Sequence, residues 1–294
     1  MAKYIITGAN GHLGRQLLQK LSDAGHELHA VVRSTSAATT LPKLQGVRSH
    51  IINYSDAKAL APLVAGTYAV VHLVGIIRET PHNRYIDAHE STCSALVEAA
   101  RSAGVSPHIV YVSILGSSAT HGNACLRSKG TAERTLLDSG LPVTVLQVPM
   151  VLGEGDFATF ALRKKALSRL CFGFRLSSLE QPIYAGDVVN AIESALNKSL
   201  GRLLLAGPES LPRSALIQRA GKTLGEKPQA MSLPIGLGRV VVGLLERLSP
   251  HPPMTRAMLD VLDHDDHIDP SPAARQLGIS LTSLDETLRL VLRK

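Results

Sequence analysis

The chain has no tryptophan and only six tyrosines and four phenylalanines among 294 residues. Single-stranded nucleic acid is bound on aromatic stacking platforms, so with this composition no nucleic-acid partner is expected. Cysteine is scarce too: Cys93, Cys125 and Cys171 are far apart, odd in number and form no C-x-x-C pair. That pattern speaks against a disulfide framework or a zinc site and fits a reducing compartment. No apolar run reaches the roughly 18 residues that a spanning helix needs. The first apolar segment starts almost at once, which leaves no space for a secretory leader, so a cytoplasmic location is expected. The one cluster of metal-ligating types, "DHDDH" at Asp263–His267, lacks helical i,i+4 pairing and reads as a solvated turn, so no metal is expected. Acids are outnumbered, 24 Asp and Glu against 31 Lys and Arg, which gives a net charge of +7 and a pI near 9.4. Such a surface attracts phosphates or an anionic membrane.

What is abundant is pattern. Tyr4–Thr7 is a short apolar run that predicts a buried strand. Gly8, Gly11 and Gly14 follow, and then Leu13, Leu17, Leu18 and Leu21 recur at helical spacing until Ala24-Gly25. Leu28–Val32 is the next strand. In this strand–turn–helix setting Gly8 permits a tight bend, Gly11 lets a pyrophosphate approach the backbone, and Gly14 lets the helix pack on the strand. The helix N-terminus then offers N–H groups to the phosphates. Thr7, Gly8, Asn10, Gly11, His12, Leu13 and Gly14 are therefore expected to bind a dinucleotide.

The second strand ends at Arg33 and Ser34 with no acid nearby. An acid there would bind a ribose 2′-hydroxyl, whereas an arginine clasps a 2′-phosphate, so NADP(H) is expected over NAD(H). Val47–Ile52 leads to Asn53, whose amide is placed to meet the adenine. Ala69–Gly75 reads as a strand ending in Leu73, Val74 and Gly75 beneath the cofactor. A long helix over Tyr85–Ala103, a strand over His108–Ser113, a helix over residues 128–138 and a strand over Pro142–Pro149 complete the alternation. The implied fold class is α/β, a doubly wound parallel sheet with ligands at the strands' carboxyl ends. The nucleotide-binding domain is expected to cover residues 1–155, returning around 181–205, with a smaller, mostly helical lobe over 156–294.

With these residues in place, the chain resembles the short-chain dehydrogenase/reductase superfamily in its extended and atypical branches. The matching features are T-G-x-x-G-x-x-G at Thr7–Gly14, Ser113 ending a strand, L-R-S-K-x-x-x-E at Leu126–Glu133, P-x-x-x-G-x-G-D at Pro149–Asp156, and "IYAGDVVNAI" at Ile183–Ile192. "VVHLVGII" and "CLRSKGTAE" are similar to the NADPH-binding accessory subunits of respiratory complex I, and NmrA-like sensors are close alternatives. The resemblance implies a Rossmann-type sheet and a Ser–Tyr–Lys catalytic set, and adds Lys129 and Pro149 to the cofactor site. Ser113 and Lys129 keep the family's positions, but Cys125 stands where the proton-donating tyrosine would be. Val148 replaces the family's arginine before the proline. A thiol next to Lys129 is expected to be acidic enough, but it ends several ångström short of a phenolic oxygen. The resemblance therefore implies an NADP(H)-binding accessory, assembly or sensing factor with weak or no turnover. The alternatives are an NADPH-dependent oxidoreductase or epimerase on a small carbonyl or quinone, and an NmrA-like regulator working through a protein partner.

The second half carries "FATFALRKKALSRLCFGFRL", Phe157–Leu176, with five cations and no acid. It reads as one amphipathic helix with a basic face, either packed on a core or presented to an anionic membrane surface or acidic partner. The apolar segment Leu233–Pro253 is too short to span a bilayer. A peripheral position at the inner face of a membrane is the corresponding alternative location. Asp187 is expected to cap a helix over Val188–Leu196, with Tyr184 beside it, and Ser271–Leu292 reads as two short helices.

Overall fold

Alternating apolar runs and amphipathic segments set the architecture. The computed structural model describes residues 2–234, 236, 243 and 265–293. The run Lys3–Thr7 forms β1, and His12–Asp23 forms α1, whose leucines Leu17, Leu18 and Leu21 are buried. Each such side chain contributes about 1.5–3 kcal/mol on leaving water. The first half continues with β2 (Glu27–Val32), α2 (Thr35–Thr39), β3 (Val47–Ile51), α3 (Ala57–Val64) and β4 (Ala69–His72). After a loop come a turn of π-helix at Ile86–Ser91, α4 (Thr92–Ser102), β5 (His108–Ile114), α5 (Ala124–Leu137) and β6 (Val143–Val148).

The chain then forms β7 (Val151–Leu152), α6 (Phe157–Ala166), β8 (Leu170–Phe174), β9 (Leu179–Glu180), β10 (Ile183–Tyr184), α7 (Ala185–Ala195), β11 (Gly201–Leu204), β12 (Leu211–Pro212), α8 (Arg213–Thr223), β13 (Gln229–Leu233), α9 (Ser271–Leu277) and α10 (Leu284–Leu292).

Seven strands make one sheet in the order β11-β6-β5-β4-β1-β2-β3. Pairing is parallel between β1 and β2, β1 and β4, β2 and β3, β4 and β5, and β6 and β11. The inner strands are buried because helices cover both faces of such a sheet: β4 and β6 are buried along their whole length and β1 shows only its first residue partly to solvent, whereas the edge strands β3 and β11 are largely exposed. This is the doubly wound α/β fold expected from the sequence. Its strand order reverses between β1 and β4, the place where such sheets open a crevice at their carboxyl ends.

The molecule divides into two compact units. The first contains Met1–Gln147, Val188–Leu204 and Gln276–Ile279, and the second Val148–Asp187, Leu205–Arg275 and Ser280–Lys294. The second unit has its own core, in which Leu162, Ala166, Cys171, Leu216, Ile217 and Leu288 pack together.

Four readings of local structure are corrected. The segment Phe157–Leu176 is not one helix: α6 ends at Ala166, and Leu170–Phe174 is a strand paired with β13. The strand expected over Ala69–Gly75 stops at His72, so Leu73–Gly75 is free to shape a loop. The long helix expected from Tyr85 begins with the π turn. Asp187 caps nothing, since α7 starts at Ala185; its carboxylate instead accepts from the Thr282 amide at 2.7 Å and hydroxyl at 2.8 Å, within the second unit. Burial raises that carboxyl above its usual range. The tail does form two helices, α9 and α10. Most of the apolar segment Leu233–Pro253, and Asp263 and His264 of the acidic–histidine cluster, lie outside the described residues.

Candidate functional site

A cleft of about 540 Å³ opens in the first unit where the strand order reverses. Gly8, Asn10 and Gly11 line it after β1, Arg33 after β2, Asn53 after β3, and Leu73, Val74 and Gly75 after β4. Each of these was expected from the sequence. The carboxyl ends of four neighbouring strands thus supply one wall.

The glycine turn is shaped for close approach. Gly8 has φ +70, and a Cβ there would lie 3.0 Å from the Leu73 carbonyl carbon. A Cβ on Gly14 would come within 2.5 Å of the Ala9 oxygen, so only glycine lets α1 sit this near β1. Gly11 is the N-cap of α1, no side chain satisfies that helix end, and its first turn carries no acid. A helix start of this kind holds its N–H groups and partial positive charge ready for a phosphate. The residues present therefore fit a dinucleotide diphosphate.

Arg33 is exposed and borders the cleft beside Asn53, whose Oδ1 accepts from the Ser55 amide and hydroxyl. Ser34 is otherwise engaged: its Oγ caps α2 by accepting from the Ala37 amide at 3.1 Å. Thr7, His12, Leu13 and Gly14 support the turn from outside the cleft lining. Thr7 is part of a buried chain: its hydroxyl lies 2.6 Å from His72 Nδ1, and His72 Nε2 lies 3.0 Å from the Thr92 hydroxyl. Burial, with the charge of Lys129, holds the His72 pKa down at about 3, so the ring is neutral. Thr92 donates to the Ala88 carbonyl, so it accepts from Nε2–H, and Nδ1 accepts from Thr7. This chain ties β1, β4 and α4 together behind the cleft.

The three residues matched to a catalytic set are all buried and none lines the cleft. Asn123 caps α5 by accepting from the Cys125 and Leu126 amides, which fixes Cys125 in the first turn. Cys125 is 1% exposed, and its thiol donates to the Ile76 carbonyl at 3.6 Å. Burial pushes the thiol up to about 11 against the opposing pull of Lys129. The expectation that Lys129 makes this thiol acidic is thus overturned: desolvation outweighs the nearby charge. Lys129 donates to the Val112 carbonyl at 3.1 Å and the Val74 carbonyl at 3.4 Å. Its ammonium lies 4.5 Å from the centroid of the Tyr111 ring. Burial brings its pKa down to about 8. A Cβ on Gly75 would sit 2.8 Å from Lys129 Nζ, so this glycine gives the ammonium its place directly behind the cleft wall. Ser113 is buried, and its hydroxyl has no hydrogen-bond partner among the described residues. Pro149 follows β6 and belongs to the second unit.

The opposite wall was not anticipated. Ile76, His82, Asn83, Asp87, Ser91 and Thr92 come from the loop after β4 and from the helix that follows. His89 fastens that loop, its Nε2 lying 3.1 Å from both the amide and the carbonyl of Ile76. Tyr85 does the same by donating to the Ile77 carbonyl at 3.0 Å. Among the described residues no group of three or more His, Cys, Asp or Glu side chains is arranged to hold a metal.

A family model described as NAD(P)H-binding matches residues 8–166. The chain is 25% identical over 249 residues to the mitochondrial NADH dehydrogenase [ubiquinone] 1 alpha subcomplex subunit 9 of Arabidopsis thaliana, covering 80% of this chain and 61% of that one. It thus spans less than two thirds of that relative's length. It is 23% identical over 238 residues to a ceramide reductase of Caulobacter vibrioides, covering 78% and 73%. The Bordetella bronchiseptica enzyme WbmH, solved in complex with NAD+, shares the fold with a TM-score of 0.74 at 16% identity, over 99% of this chain and 97% of that one. The likeness to short-chain dehydrogenase/reductase proteins read from the motifs holds, and the chain belongs to the NAD(P)H-binding family.

Proposed function

We propose that this protein binds NADP(H) in preference to NAD(H) and acts as an accessory, assembly or redox-sensing factor with little or no turnover. The observation that carries this reading is the state of Cys125. A dehydrogenase of this type needs a proton donor within hydrogen-bond reach of the substrate, with a pKa near the working pH. Here the side chain in that position is enclosed, bonded to a backbone carbonyl and pushed up to about 11. Lys129, which would assist it, is committed to two carbonyls. The bound dinucleotide would bring hydride chemistry; this chain's own residues supply the cradle at Gly8–Gly14 and the cation at Arg33. The mitochondrial NADH dehydrogenase subunit among the relatives supports a role alongside a protein partner.

Calorimetric titration with NADPH and NADH, followed by NADPH consumption with a panel of carbonyls and quinones, tests the proposal. Tighter NADPH binding without stoichiometric oxidation is expected. Equal affinities would remove the cofactor preference, and steady turnover would favour the second reading. That reading, an NADPH-dependent reductase or epimerase with an altered acid, is supported by the ceramide reductase relative.

A further inference from the structure

Three of the four phenylalanines in the chain face solvent on the second unit: Phe157 is 71% exposed, Phe160 65% and Phe172 53%. Large aromatic side chains ordinarily fill the core, so their shared position calls for a partner. On α6, Phe157, Phe160, Lys164 and the C-cap residue Leu167 follow one another at helical spacing along the outer stripe, while Thr159, Leu162 and Ala166 point inward. On β8 the side chains alternate, with Cys171 inside and Leu170 and Phe172 outside. Phe172 is in register with Met231 of β13, and both are more than half exposed. Leu162, Ala166 and Cys171 belong to one core. The exposed stripe of α6 and the exposed face of the β8–β13 ribbon therefore look away from the same core, joined by only Leu167, Ser168 and Arg169.

Arg163, Lys164 and Arg169 are exposed and Lys165 partly so, and none of the four is ion-paired among the described residues. No acid occurs from Phe157 through Leu179. Charge complementarity therefore asks for a dense anionic surface. Protein hot spots are typically tyrosine, tryptophan or arginine anchors seated in pockets. This surface instead offers an outward stripe of phenylalanine and aliphatic groups rimmed by cations, the arrangement that settles into a headgroup layer. Among the described residues no helix is long and apolar enough to cross a membrane. We propose that the outer face of α6 together with the β8–β13 ribbon is a docking surface for an anionic phospholipid bilayer, on which the protein lies without spanning it.

The test is co-sedimentation of the full chain with vesicles of phosphatidylcholine alone or of equal parts phosphatidylcholine and phosphatidylserine, at low and high salt. Binding to the anionic vesicles at low salt, weakened at high salt and absent on phosphatidylcholine, is expected. F157S/F160S and, separately, R163E/K164E should each lower the bound fraction about tenfold or more. Both pairs are on the outside of the unit, so thermal melting and NADPH affinity should stay as in the parent chain. A loss of vesicle binding therefore reports on the surface and not on the cofactor site. Failure to bind anionic vesicles at low salt, or binding unchanged in both variants, overturns the proposal.

Discussion

The thiol of Cys125 donates to the carbonyl oxygen of Ile76 across 3.6 Å, and this contact joins the start of α5 to the loop that forms one wall of the cleft. The residue that the motif aligns with a proton donor thus holds up a wall. Cys125→Ser retains a donor of similar size, so NADPH Kd should change by less than roughly threefold, measured by calorimetry. Cys125→Tyr tests the other direction. The site is closed, and forcing a phenol into it should cost about 1–3 kcal/mol of stability, read from urea denaturation, rather than restore an acid. If Cys125→Ser abolished a turnover that the parent chain shows, the accessory reading would fall.

Gly14 faces the Ala9 backbone so closely that an added Cβ would meet the Ala9 oxygen at 2.5 Å and its carbonyl carbon at 2.8 Å. Neither atom can retreat without moving the glycine turn. Gly14→Ala should therefore lower stability by about 1–3 kcal/mol and reduce the rise in Tm that NADPH produces. Gly122 is the control: nothing lies within 4 Å of its virtual Cβ and its φ is not positive. Gly122→Ala should leave both Tm values unchanged.

These sites differ in how well the sequence announced them. The turn at Thr7–Gly14 and the strands around it were legible because their signals are local: glycine spacing, a leucine stripe and runs of buried residues. Arg33 and Asn53 were legible because their places follow from strand ends. The opposite wall, with His82, Asn83 and Asp87, is assembled by a loop and a π turn that carry no periodic signal. The strand β8 was hidden because cations continue past α6 at Arg169 and Arg175, although Cys171 inward and Phe172 outward already alternate with period two. For Cys125, the sequence shows the cation four residues on but not the burial that outweighs it.

Burial sets the pH dependence of Lys129. Its pKa falls from 10.5 in the unfolded chain to about 8 in the fold, so between those values the unfolded state binds more protons and stability rises with pH. Below about pH 8 both states are protonated and the cost of the buried charge is fully present. From pH 8 to 9 the gain from this residue should be about 1 kcal/mol. Cys93 and Cys125 act oppositely, since burial raises their thiols to about 12 and about 11, and the stability they contribute is lost as pH climbs above 9. Urea denaturation of the parent chain and Lys129→Met at pH 8 and pH 9 separates the two effects. The parent should gain more than the variant over that interval; parallel behaviour would mean that Lys129 keeps its proton in the fold through pH 9 and that burial does not lower its pKa.

Arg33 and Asn53 border the same end of the cleft, and no acid follows β2 there. A guanidinium at this position favours a 2′-phosphate by charge-assisted hydrogen bonding, worth about 1.5–3 kcal/mol. Because Arg33 is exposed, solvent and salt weaken the pair, so the low end of that range applies and about a tenfold preference is expected. Arg33→Asp replaces the donor by an acceptor for a 2′-hydroxyl and repels the phosphate. Its NADPH Kd should rise at least about tenfold while NADH binding holds or tightens, inverting the preference. The parent's NADPH Kd should also weaken with added salt more steeply than its NADH Kd, and the variant should lose that difference. If Arg33→Asp leaves the ratio of the two affinities where it was, the 2′-phosphate is not read at this strand end.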